Sequence, residues 1–194
     1  AAVRQEASIR NQEVTNQLAA KSLGLPPETM LTESSLHAVR QEAGKSYEAV
    51  ANLSPIAATA LDKLKDARSQ ATLYYKHYDR SADPASLAKA KAASTQATVL
   101  ERVMESQAKA AGQPELIASL RDARAMIAKS YNIERALNVG DGNVSAHVIG
   151  RLLDQGKPLS GELKVIGKFA QAFPSVTRPG AMVPASGVSG TDAA

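Results

Sequence analysis

The chain contains no cysteine and no tryptophan, and only two phenylalanines and five tyrosines among its 194 residues. Without cysteine there is neither a disulfide framework nor a thiolate metal cage, so packing alone must hold the fold. No run of 18 apolar residues occurs, which removes the signal of a membrane-spanning helix, and the opening AAVRQEASIR lacks the apolar stretch of a secretory leader. The chain therefore reads as soluble, with no membrane contact expected from these residues themselves. No block of like charge appears, which removes the footprint of a dedicated nucleic-acid face. β-Branched and aromatic residues never alternate with polar ones over the length of a strand, so no sheet is expected.

What is present is alanine, 36 residues of it. Alanine loses no side-chain entropy on entering a helix, so this composition favours thin helices that approach closely. The 23 basic and 19 acidic residues give a net charge of +4, but they are interleaved. That pattern is the solvated surface of a helical protein, and it permits non-specific DNA contact without specifying it. The expected fold class is all-α, with about seven helices.

Apolar spacing and breakers place the elements. Val3 to Leu23 carries an imperfect helical stripe that Gly24, Pro26 and Pro27 end. Thr32 is a plausible N-cap for a second helix through Leu36, Val39, Ala43, Tyr47 and Val50, broken by residues 52–55. A third helix runs from about Ile56 to Tyr78, with Leu61, Leu64, Arg68, Ala71, Tyr75 and Tyr78 spaced as a heptad seam. Asp83 caps a fourth helix that has Pro84 at its first position and Ala93, Ala97, Leu100, Met104, Gln107 and Ala111 as a matching seam. Together they predict a central antiparallel, coiled-coil-like hairpin over 56–111.

Pro114 opens a fifth helix reaching Leu137, with a bend near Asn132. Gly140 to Asn143 is dense turn chemistry. A short helix over Ser145 to Asp154 and a last one capped by Ser160, holding both phenylalanines, complete a C-terminal cluster over 112–174. The sequence thus divides into long helices over 1–111, that cluster, and an extended Pro/Gly/Ala tail over 175–194. The tail has so little self-burying surface that a partner is expected to order it. Phe169, Phe173, Val176, Met182 and Val183 are the candidate partner-binding residues. The chain opens on alanine rather than methionine and closes in low complexity, and is expected to be a processed product or part of something longer.

No catalytic, cofactor-binding or metal-binding residue is predicted. Gly44, Lys45 and Ser46 match the end of a phosphate-binding loop, but Val39 stands where that loop needs glycine and no strand precedes it. Gly150 to Lys157 is one residue too long, and Pro158 replaces the magnesium-binding hydroxyl. His37, His77 and His147 have no second histidine one turn away. No G-x-S-x-G turn announces a nucleophile. Asp141, Gly142 and Asn143 lack the downstream glutamate of a calcium loop, so a turn is the better reading. Tyr74, Tyr75 and Tyr78 beside Lys76, His77 and Arg80 could stack bases, but at helical spacing they more often plug the end of a hairpin.

Two stretches carry a resemblance, ASIRNQEVTNQLAAKSLGLP near the start and LRDARAMIAKSYNIERALNVGDGNVSAHVIGRLLDQGKPLSGELKVIGKFAQAFP near the end. They resemble segments of large virion proteins of short-tailed bacteriophages and related prophages, the internal or DNA-ejection proteins. The resemblance spans about 75 residues and implies a virion location, a helical module within a longer polypeptide, assembly with copies of itself, and contact with portal or tail proteins. The family has no catalytic motif, so no site residue transfers. The alternative reading is a basic helical nucleic-acid-binding module, and a further one is the helical accessory domain of an enzyme.

Overall fold

The computed structural model describes residues 2–177, and they form an all-α fold of eight helices. These are α1 (Ala2–Ser22), α2 (Glu33–Ala51), α3 (Pro55–Ser81), α4 (Pro84–Ala110), α5 (Glu115–Ala136), α6 (Ala146–Asp154), α7 (Gly161–Ala172) and α8 (Pro174–Thr177). Among the described residues the only extended pairing is one antiparallel bridge, Leu137 to Val144.

The ends of the helices follow from local chemistry. Gly24 (φ +70°) and Gly112 (φ +71°) take the left-handed conformation that closes α1 and α4. After α1, the Gly24 N–H donates to the Lys21 carbonyl and the Leu25 N–H to the Ala20 carbonyl, so the last orphan carbonyls are satisfied. Thr32 and Ser35 cap α2 reciprocally: the Ser35 N–H donates to Thr32 Oγ1 at 3.1 Å, and the Thr32 N–H to Ser35 Oγ at 2.9 Å. Asp83 accepts the Ala85 and Ser86 N–H groups at 3.1 and 3.0 Å, with Pro84 filling the first helical position. Those bonds hold the Asp83 carboxyl below its ordinary value, the Ser86 hydroxyl contributing most.

Two details differ from expectation. Ser160 occupies the N-cap position of α7 but makes no capping hydrogen bond. The chain does not become extended at 175, because Pro174–Thr177 forms the short helix α8. Phe173 (φ −129°, ψ 59°) leaves helical geometry, as a residue before proline is biased to do, and Pro174 then starts a new turn.

The described residues form two compact units. One comprises those up to His37 and from Ala128 onward; the other is Ala38–Ile127. The boundaries fall inside α2 and inside α5.

In unit Ala38–Ile127, α3 and α4 pack side by side as an antiparallel pair joined through Ala82 and Asp83. On α3 the buried line is Ala57, Ala60, Leu61, Leu64, Ala67 and Ala71; of the expected seam it includes Leu61, Leu64 and Ala71, whereas Arg68, Tyr75 and Tyr78 are only half-buried. On α4 the buried line is Ala90, Ala93, Ala97, Glu101, Met104 and Ala108, not the line through Leu100, Gln107 and Ala111. Leu100 and Gln107 are only half-buried and Ala111 is exposed. The facing alanines let the two backbones approach closely. Tyr47 and Val50 of α2 and Leu120 and Ala123 of α5 complete this core.

In the other unit, α6 packs on α7 and α7 on α1. The crossing of α6 and α7 depends on missing side chains: a Cβ on Gly150 would lie 2.9 Å from Ala170 Cβ, and one on Gly167 would lie 3.1 Å from Leu153 Cδ2. Ile149, Leu152, Leu163 and Ile166 bury around that contact.

Candidate functional site

The densest polar cluster among the described residues lies in unit Ala38–Ile127 and centres on Glu101, which is 6% exposed in the apolar seam. Four helices supply it: Tyr47 from α2, Arg68 from α3, Glu101 and Glu105 from α4, and Arg121 and Arg124 from α5. Glu101 Oε1 accepts the Tyr47 hydroxyl at 3.2 Å and the Arg68 guanidinium, and Arg68 Nη2 also donates to Tyr47 Oη at 2.7 Å. On the other side Arg124 Nε lies 2.6 Å from Glu101 Oε2. Its N–H is not aligned with that oxygen and has no other acceptor, so this contact is an ion pair without a hydrogen bond. Arg124 Nη2 reaches Glu105 Oε1 at 3.2 Å, and Arg121 Nη2 reaches Glu105 Oε2 at 3.3 Å.

The Arg68 guanidinium carbon lies 4.7 Å from the centre of the Tyr47 ring, adding a cation–π contact. Burial pushes the Tyr47 hydroxyl above its ordinary pKa. The Arg68 charge pulls it down and the Glu101 charge pushes it up again. Both oxygens of Glu101 therefore face cations. A carboxylate held this way is a tie between helices.

Sequence reading placed Arg68 on the seam of α3 but found none of its partners. The signal was there, since a cation in an apolar seam requires a carboxylate across from it. Glu101 escaped notice because the apolar Leu100 beside it drew the line of α4 one residue off.

Of the predicted partner-binding residues, Phe169, Phe173 and Val176 sit at the C-terminal end of the described part of the other unit. Phe169 is half-buried on α7, Phe173 is 53% exposed, and their ring centres are 5.3 Å apart at 42°. Val176 on α8 is 44% exposed and Val165, one turn before Phe169, is 57% exposed. These side chains form an apolar ridge on α7 and α8, apart from the buried face of Leu163, Ile166 and Ala170. Met182 and Val183 lie outside the described residues. Beside the ridge is an open cleft of about 300 Å³ lined by His147, Arg151, Asp154 and Gln171, in which Gln171 Nε2 donates to Asp154 Oδ1 at 2.6 Å.

A second polar arrangement that sequence reading missed joins α1 to the turn after α5. Asn16 accepts the Val144 N–H at 2.9 Å and donates to Asn143 Oδ1 at 2.8 Å, while Gln12 Nε2 donates to the Val144 carbonyl at 2.9 Å. Asp141 receives the Asn143 N–H at 2.9 Å, an Asx turn that lowers its pKa. Asp141, Gly142 and Asn143 thus make a turn clamped by two side-chain amides.

Gly44, Lys45 and Ser46 lie within α2, with backbone N–H groups committed to the helix. Tyr74 packs under Lys89, with Nζ 5.5 Å from the ring centre, and His77 Nδ1 lies 2.8 Å from Ser86 Oγ, at the closed end of the α3–α4 pair. Among the described residues there is no cluster of three or more potential metal ligands, and no helix is long and apolar enough to cross a membrane. No known protein family, no curated protein and no solved structure matches the chain.

Proposed function

We propose that this chain is a non-enzymatic structural component of a bacteriophage virion, an internal, DNA-ejection or tail-associated protein that assembles with copies of itself and with portal or tail proteins. The observation that supports a packing role is the Glu101 cluster, in which buried and partly buried charges of unit Ala38–Ile127 close on one another and tie four helices together. The placement in a virion rests on the resemblance of residues 7–26 and 120–174 to phage internal proteins. The exposed ridge of Val165, Phe173 and Val176 supplies a surface for assembly. The mechanism is mechanical: thin alanine-seamed helices pack closely in the assembled particle and separate at modest free-energy cost when DNA leaves.

Mass spectrometry of purified particles from the strain that carries the gene, together with light scattering of the isolated chain, tests this reading. The chain is expected in the particles and as concentration-dependent oligomers in solution. Absence from particles with a strictly monomeric chain would overturn the proposal. Tight binding to DNA that weakens steeply with salt would replace it with the basic nucleic-acid-binding module.

A further inference from the structure

Two helices of 27 residues each, α3 and α4, are joined by only two residues, Ala82 and Asp83, and neither is glycine. Pro84 restricts the residue before it to extended backbone, and Asp83 is extended (φ −71°, ψ 116°), so the reversal of the chain depends on Ala82. Ala82 takes the left-handed conformation (φ 53°, ψ 25°), and it is the only non-glycine residue with positive φ among the described residues. Its Cβ is crowded there, and such a residue keeps its conformation only while the surrounding structure demands it.

The second observation is where this hinge divides the chain. Before it lie α1, α2 and α3; after it lie α4 to α8. Two of the principal helix pairings, α3 with α4 and α1 with α7, join one half to the other, and among the described residues no pairing of comparable extent joins α1, α2 and α3 to one another. The polar ties follow the same division. Tyr47 and Arg68 precede the hinge and their partner Glu101 follows it, Ser54 Oγ donates to Gln107 Oε1 at 2.8 Å, and Gln12 and Asn16 hold Val144. The first half therefore buries its groups chiefly against the second. The hinge itself holds little: Asp83 keeps its bonds to Ala85 and Ser86 if the helices part, so α4 stays capped, and water can replace the Tyr78 carbonyl at the exposed Ala82 N–H.

We propose that the chain forms a dimer by exchanging halves at Ala82: α1–α3 of one copy pack with α4–α8 of a second copy, and reciprocally, so that each lobe remakes the α3–α4 seam, the Glu101 cluster and the Val144 clamp across two chains. The partner is this same chain because it alone supplies the matching seam, with Glu101 to meet Arg68 and alanine to meet alanine. A short connection under strain favours such an exchange, since each Ala82 relaxes to extended backbone in the open form. The entropy of association opposes it, so the dimer grows with chain concentration. The exchange is one form of the self-assembly proposed above and rests on that part of it alone, not on a place in a virion.

The sequence has no cysteine, so introduced thiols report without background. The register that sets His77 against Ser86 and Tyr74 against Lys89 brings Ala71 alongside Ala93, both in the buried seam. A tagged full chain carrying Ala71→Cys and an untagged one carrying Ala93→Cys are unfolded together in urea, refolded at high concentration and oxidised. A disulfide joining tagged to untagged chains is expected, because exchange sets residue 71 of one copy against residue 93 of another. A chain carrying both substitutions is expected to close its own disulfide when refolded dilute. A readout without cysteine is the dimer share of the unsubstituted chain after concentrated refolding, measured by light scattering. Ala82→Gly relaxes the left-handed residue and should lower that share about ten-fold, and Gly-Gly-Ser inserted after Ala82 should lower it further. Dimers without the mixed disulfide, while the doubly substituted chain closes its own, would overturn the exchange and leave self-assembly through another surface standing. A dimer share that neither hinge variant lowers, or a chain monomeric at every concentration, would also overturn it, and the presence of the chain in particles would still be decided separately.

Discussion

Arg68 on α3 and Glu101 on α4 form an ion pair across a seam whose other occupants are almost all alanine, leucine or methionine. The pair is not isolated, since Glu101 also holds Arg124 and Tyr47. Removing the shared anion should therefore be much worse than removing one cation from a surface pair. Glu101→Gln leaves the partly exposed guanidiniums of Arg68 and Arg124 facing a neutral amide, with Glu105 still beside Arg124, and is expected to destabilise the chain by about 1–3 kcal/mol in urea unfolding. A joint replacement of Arg68, Glu101 and Arg124 by methionine and leucine should restore most of that loss. If the triple variant is as unstable as the single one, the penalty does not come from uncompensated charge.

The crossing of α6 and α7 gives a steric prediction. Gly150→Ala places a methyl group 2.9 Å from Ala170 Cβ, with no flexible side-chain end to move aside. The helices must separate, at an expected cost of about 1–3 kcal/mol. Ala170→Gly should rescue it, so the double variant ought to be more stable than Gly150→Ala alone. A double-mutant cycle by thermal unfolding measures this coupling, and additive effects would count against a direct contact.

Ala82 links α3 to α4 with φ +53°, the left-handed region, and donates its N–H to the Tyr78 carbonyl at 2.8 Å. An L side chain there is strained by about 1–2 kcal/mol. Ala82→Gly relieves the strain and is expected to raise stability by about 1 kcal/mol, the loss of backbone entropy offsetting part of the gain. Asp83→Ala at the next residue should do the reverse by a similar amount, since it removes the acceptor of the Ala85 and Ser86 N–H groups.

Asn16 satisfies two groups of the 138–144 turn at once, and Val144 is fully buried. Asn16→Ala strands the Val144 N–H away from water, so a loss of about 1–3 kcal/mol is expected. Hydrogen exchange at the Val144 amide should accelerate by more than exchange at Ala97 on α4. Uniform acceleration would mean that the clamp does not act locally.

How much of this was legible beforehand can be read from particular residues. Gly24, Asp83–Pro84 and Gly112 announce helix ends because their backbone preferences act locally, and they end or begin helices as expected. The ring contact of Phe169 with Phe173 is implied by their separation of four residues. Glu101 was not legible in the same way. Choosing it over Leu100 turns α4 by 100° about its axis, and local apolarity favours the leucine; only the position of Arg68 on another helix decides the matter. The amide clamp of Gln12 and Asn16 is likewise a meeting of residues more than 120 positions apart, which helical spacing cannot anticipate.

Tyr47 supplies the pH prediction. Its hydroxyl is buried beside Arg68 and Glu101, and burial raises its pKa above the ordinary value of about 10. A group whose pKa is higher folded than unfolded contributes stability below the unfolded value and loses that contribution as pH rises through the folded one. The chain should therefore weaken in alkali partly because unfolding frees Tyr47 to ionise. Tyr47→Phe removes this titration but also takes an acceptor from Arg68 and a donor from Glu101, at a cost of about 1–2 kcal/mol near neutral pH. Urea midpoints of the parent and the variant should thus lie apart at neutral pH and converge as pH is raised past about 10. Lysine side chains also lose protons in that range, but they do so in both proteins and cancel in the difference. Parallel curves would show that the Tyr47 proton is not linked to folding, and that its hydroxyl acts only as a hydrogen-bonding bridge between Arg68 and Glu101.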